Sequence, residues 1–425
     1  MRRAVLVVCD SLRADLIEPA LAPTLAGLAA GATSFTSFRS VFPSVTRVAS
    51  ACIATGSYPA AHGLLGNTMV IDEGGGLVRL SVGKPDFRDR LRKATGRTLH
   101  RPVLAERLAD RGGCVVMSNV SPGAAYFQDP DGFGWVYHRT GSFGPGLRPV
   151  PDTEQLPIEQ GPGGDSVMTE RFCGEILRER RPALAVLWLS EPDHTGHKTP
   201  LGCAAHRAAI TAADRCVRQV LDTVETLAAA GDDVLVLVCS DHGMETTRRT
   251  IRLDDLLVGA GLKAAPDSRD IVVAPNGTAA VLYRSASARA SVDDLRGLVE
   301  KQDWVDRVFT GAELARLGMP ATEPVALAIA LRTEDQPNEF GIRGVGDIVH
   351  NPDEPKDYTG FGQHGGLGAN EQRPFLLIRG REFREGADVD VTACHVDLAP
   401  TIVRHLGVDG AGMDGRPLQS AIASR

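Results

Sequence analysis

Three apolar runs in this chain each end on an aspartate: residues 4–10 (AVLVVCD), 183–193 (ALAVLWLSEPD) and 233–241 (DVLVLVCSD). The second continues as DHTGH to His197, the third as DHGM through His242, and a further histidine, His364, lies in GQHGG. Asp10, Asp193, His197, Asp241, His242 and His364 offer six nitrogen and oxygen donors of the kind zinc binds in a roughly tetrahedral array. Six are enough for two ions with open positions. Two ions about 3.5–4 Å apart can clamp the attacking and leaving oxygens of a phosphoryl group.

Such chemistry needs a nucleophile, and Thr46 is the best candidate. It follows a turn at Pro43 and Ser44 and opens TRVASACIATG, a helix-like run with Gly56 as its stop. A hydroxyl at a helix N-terminus sits beside partial positive charge, and a coordinated metal would lower its pKa further. The expected intermediate is a phospho-threonine that water later hydrolyses. Two divalent ions, three aspartates and a Thr46 alkoxide sum to about neutral. That balance favours a singly charged diester or phosphonate over a dianionic monoester unless extra cations are recruited.

The three aspartates converge only if their strands lie side by side in an open parallel sheet, where ligands bind beyond the carboxyl ends. Alternating strand-like and helix-like segments support that arrangement. A helix is expected over 22–32, a strand over 35–42, a helix and strand over 103–112 and 114–120, and a long amphipathic helix over 203–230. Residues 161–166 (GPGGDS) lack the lysine of a phosphate-binding loop and read as a linker, while Asp214 and Asp222 read as a solvated helix face. The expected fold class is α/β, a mostly parallel central sheet flanked by helices with an inserted smaller α+β cap. Residues 1–244 would form the first part of the core, 245–360 the cap and 361–425 the second part of the core.

The chain has 425 residues, enough for one large domain plus an insertion. A net charge of −7 gives no polyanion-binding surface, so extended nucleic acid is not an expected partner. No run approaches the ~20 apolar residues that span a bilayer. The apolar stretch after Met1 is too short for a secretory core and leads straight into Asp10, so the expectation is a cytoplasmic protein. The eight cysteines form no CxxC pair and no disulfide framework.

Residues 42–67 (FPSVTRVASACIATGSYPAAHGLLGN), EPDHTGH, SDHGM, GQHGG and VDLAPTIVRHLGV together resemble the alkaline phosphatase superfamily, and within it the nucleotide pyrophosphatase/phosphodiesterase branch. The resemblance implies an alkaline phosphatase-like core and a hydrolase with two zinc ions, manganese being an alternative metal. By it, Asp193, His197 and His364 would hold one ion, and Asp10, Asp241, His242 and the Thr46 oxygen would surround the other. Asn67 would help the nucleophile's backbone amide bind a phosphoryl oxygen. The implied substrate is a small phosphodiester, nucleotide or phosphonate.

Neighbouring branches fit less well. Sulfatases need a modifiable Cys or Ser, then Pro two residues on and Arg four on, where this chain has Thr46, Val48 and Ser50. Phosphonoacetate hydrolases share the threonine, the ligands and the HGxxGN wording at 62–67 but grip a carboxylate with paired lysines; Lys84 and Lys93 do not form such a pair in sequence. A metal-dependent phosphomutase is a more distant alternative. Arg47 stands where related diesterases often carry an apolar or small residue, facing either substrate or solvent.

Overall fold

A computed structural model describes residues 1–423. Four strands form its centre: β1 (Arg2–Cys9), β2 (Cys114–Ser118), β3 (Leu184–Leu189) and β4 (Asp233–Cys239). They lie parallel in the order β4, β1, β3, β2, with Val8 opposite both Trp188 and Cys239. All four read as near-continuous apolar runs because both faces are covered, as parallel sheets require. Cys9, Cys114 and Cys239 are buried there. The helix Ala204–Ala229 carries the chain from β3 to β4 across β1, burying Ile210, Val217, Val220 and Val224 on one face of the sheet.

The full sheet has ten strands and is mixed rather than purely parallel. The strand Leu376–Arg379 runs antiparallel to β4, and Thr33–Phe35 runs antiparallel to that strand in turn. The expected strand over 35–42 resolves into the short pieces Thr33–Phe35 and Phe38–Arg39, with a helix, Pro23–Gly31, before them. Within 245–360 lie a four-stranded antiparallel sheet with its own apolar cluster around Leu282, Leu295 and Ile329, and most of a second four-stranded sheet that includes Glu245–Ile251.

Two local expectations are corrected. The GPGGDS segment is not a linker: Gly161 takes a left-handed φ of 115° and the helix Pro162–Arg171 starts immediately after it. Asp214 does not face solvent. It is 2% exposed and accepts the backbone N–H of Thr24 and Leu25 at 3.1 and 2.8 Å, capping the start of the neighbouring helix. Asp222 is exposed as expected. No described helix is long and apolar enough to cross a membrane.

Candidate active site

Because β1, β3 and β4 are adjacent and parallel, their carboxyl ends share one edge, and Asp10, Asp193 and Asp241 meet there. Asp10 and Asp241 directly follow or closely trail their strands, while Asp193 opens a one-turn helix, Asp193–Gly196, that presents His197. Asp193 Oδ1 lies 3.3 Å from His197 Nε2 and 3.6 Å from His364 Nε2. A second group surrounds His242 Nε2: Asp241 Oδ2 at 3.0 Å, Thr46 Oγ1 at 3.1 Å and Asp10 Oδ1 at 3.7 Å. The rings of His242 and His364 stack at 3.6 Å, joining the two groups into one centre.

The histidine tautomers follow from their other nitrogens. Nδ1 faces a carbonyl in all three: Gly362 O at 2.9 Å for His197, Gly243 O at 3.0 Å for His242 and Ser44 O at 2.8 Å for His364. A carbonyl only accepts, so Nδ1 donates and the neutral ring presents its Nε2 lone pair to the centre. Opposite those lone pairs, Asp10 Oδ1, Asp193 Oδ1 and Asp241 Oδ2 are buried and accept no hydrogen bond. Carboxylate oxygens and imidazole lone pairs turned on one another are mutually repulsive without a cation between them. The ligand atoms in each of two overlapping sets, Asp193/His242/His364 and Asp10/Asp241/His242, lie within 4.8 Å of one another, a span close to that of donors around one small ion. The donor set therefore fits divalent cations.

Electrostatics without a cation show the same crowding. Burial, then Asp241 and Asp193, push the Asp10 carboxyl well above the usual range. Burial opposes ionisation of Asp241 and of His242, but each stabilises the other's charge, so the acid falls and the imidazole rises. Burial and the neighbouring His242 bring His364 down to about 3.

Thr46 starts the helix Thr46–Thr55, in which every residue except Arg47 is buried, so the hydroxyl is fixed by packing. The Thr46 N–H, in the first turn, has no acceptor among the described residues. Asn67 Oδ1 accepts the Arg47 N–H at 3.3 Å, which leaves Nδ2 as its donor, and Thr46 and Asn67 both line a cavity of about 280 Å³. Arg47 also lines that cavity, its Nε on Ser121 Oγ and Nη1 on Asn67 O, so it does not simply face solvent.

Sequence reasoning missed the residues that hold these loops. Glu371 is fully buried and accepts from Gly365 N, Gly366 N, Gly368 N, Thr278 Oγ1 and Ser44 Oγ, tying the His364 loop to the segment before Thr46. Gly365, at φ 139°, lies against the Asn276 carbonyl so closely that a Cβ there would collide with it. Asp165 accepts Ser190 N at 2.9 Å and Glu191 N at 3.1 Å, fixing the turn between β3 and Asp193. Trp188 donates to Asp10 Oδ2 at 3.1 Å. Lys84 and Lys93 do not line the cavity; Lys198 and Lys356 do.

The sequence signature of the type I phosphodiesterase / nucleotide pyrophosphatase family matches residues 4–362. The chain belongs to that family. It is accordingly a metal-dependent hydrolase of phosphodiesterase and pyrophosphatase type within the alkaline phosphatase superfamily. No curated protein sequence matches it. The phosphodiesterase fold is shared with solved structures of murine ectonucleotide pyrophosphatase / phosphodiesterase 5. An inactive variant of that protein in complex with AMP is 17% identical with a TM-score of 0.69 over 99% of this chain and 100% of the other. A second structure of the same mouse protein is 17% identical with a TM-score of 0.67 over 97% of each chain.

Proposed function

We propose that this phosphodiesterase is a two-zinc phosphoric diester hydrolase or nucleotide pyrophosphatase that works through a phospho-threonine on Thr46. Asp193, His197 and His364 would hold one ion, and Asp10, Asp241, His242 and Thr46 the other. When bound, the ions would supply positive charge that favours the Thr46 alkoxide and neutralises the phosphoryl oxygens. The observation that carries the reading is Thr46 Oγ1 in the ring of buried ligand atoms around His242 Nε2, at 3.1 Å.

The chain's own part is positioning. The buried helix aims Oγ1 along one line into the cavity, a preorganisation that lowers the entropy cost of attack. The Thr46 N–H and Asn67 Nδ2 supply donors to a non-bridging phosphoryl oxygen as charge develops. The Thr46 O–P bond forms, the leaving oxygen departs with its electron pair from the opposite side, and water then displaces Thr46 from the vacated side. Two in-line steps give net retention at phosphorus.

Thr46→Ala should abolish turnover of bis-p-nitrophenyl phosphate while metal content stays near that of the wild type. An acid quench of the wild type should trap phosphate on the tryptic peptide containing Thr46. A Thr46→Ala protein that still turns over would remove Thr46 from the mechanism.

A further inference from the structure

The metal centre as counted above is close to neutral, yet the cavity around it carries three more cations, Arg47, Lys198 and Lys356. Among the described residues none of the three has a carboxylate within ion-pair distance, although Glu354 lines the same cavity. Arg47 is occupied by the neutral oxygens of Ser121 and Asn67. Lys198 Nζ contacts His194 Nε2 at 2.8 Å and Lys356 Nζ donates to His197 O at 3.1 Å. Both are exposed where they line the cavity, so an arriving anion meets two ammonium groups that no carboxylate pairs with at ion-pair distance.

Their place relative to the reaction is fixed by Thr46. Its Oγ1 belongs to the Asp10/Asp241/His242 group, so an in-line displacement sends the leaving oxygen away from that group. Asp193, His197 and His364 make up the other group, and both lysines are attached to it, Lys198 by following His197 and Lys356 by its bond to the His197 carbonyl. We propose that Lys198 and Lys356 form a subsite for an anionic leaving group, so that the enzyme selects substrates whose departing half carries its own phosphate or carboxylate. This rests on Thr46 being the nucleophile. A singly charged diester with an uncharged leaving group would use the metal centre but leave the lysines idle.

Two esters that share the transferred half separate the effects. Thymidine 5′-triphosphate and the p-nitrophenyl ester of thymidine 5′-monophosphate present the same nucleoside phosphoryl group with a charged and an uncharged leaving group; phosphonoacetate supplies the carboxylate arm. The Lys198→Met/Lys356→Met double variant should lose at least tenfold in kcat/KM on the triphosphate or on phosphonoacetate, whichever the wild type turns over. On the p-nitrophenyl ester the change should stay within threefold. Calorimetry in the Thr46→Ala background supplies a readout without turnover: the same double change should weaken binding of that anionic substrate at least tenfold. Equal losses on charged and uncharged leaving groups, or no loss on either, would overturn the subsite. A wild type that hydrolyses none of the three would instead overturn the proposed function, and the binding measurement would still judge the lysines.

Discussion

Asn67 is oriented by its own neighbour before any substrate arrives. With Oδ1 committed to the Arg47 N–H at 3.3 Å, Nδ2 is the group left to meet a phosphoryl oxygen. Removing one preorganised donor of this kind typically lowers kcat by about 100- to 1,000-fold. Asn67→Ala should show that loss on bis-p-nitrophenyl phosphate with metal content unchanged; a decrease below tenfold would take Asn67 out of transition-state stabilisation. His364 is the opposite case. Its Nε2 faces Asp193 Oδ1 at 3.6 Å and its Nδ1 is held by Ser44 O, so His364→Ala should lower bound metal and activity together, measured by elemental analysis after dialysis. Unchanged stoichiometry would force a different ligand set.

At the level of elements, the metal-facing loops are held by buried carboxylates rather than by apolar packing alone. Glu371 gathers five donors from three segments, at 2.6–3.3 Å. Glu371→Ala would strand those donors in the interior, where each unmet group costs on the order of 1–3 kcal/mol. Glu371→Gln should be nearly as harmful, because one oxygen becomes an amide donor turned on backbone N–H groups. Both variants are expected to lower the urea midpoint and weaken zinc binding in a competition titration, and a Gln variant with wild-type values in both would show the charge to be dispensable. Nothing in the sequence marks Glu371, since its role is set by contacts that reach from its own loop to Thr278 and, 327 residues away, to Ser44. The strands behind the three aspartates were legible because burial on both faces leaves an unbroken apolar run. By contrast, GPGGDS was misread: its glycines suggest a loop, but Asp165 within it bonds to the end of β3, and only tertiary contacts reveal a helix there. Asp214 was misread for the same reason, a partner on another helix.

Across the whole molecule, the pattern of apolar runs carried the parallel centre of the sheet, whereas the antiparallel strand Leu376–Arg379 gave no sign of its direction, which is decided by the long connection through residues 240–375. The interior also stores opposing titrations. Burial lowers His62 to about 3 and His138, His206 and His395 to about 4. Each is neutral in the folded chain but protonated on unfolding below its ordinary value of 6.5, so its contribution is present above that value and is lost as pH falls toward 4. Burial also raises Asp165 to about 6 and Glu191 and Glu245 to about 7. These acids keep their protons when folded, so their contribution is present below about 4 and is lost as pH rises through 6 to 7. Between about pH 4.5 and 6.5 the two sets oppose one another, at up to about 1.4 kcal/mol per pH unit for each group. Glu245→Gln removes one opposing acid while retaining an amide oxygen for the Asn370 N–H, which Glu245 Oε1 accepts at 2.9 Å. The urea midpoint of the variant relative to the wild type should therefore increase from pH 4.5 to 6.5; a constant or shrinking difference would show that Glu245 is already ionised in the folded chain.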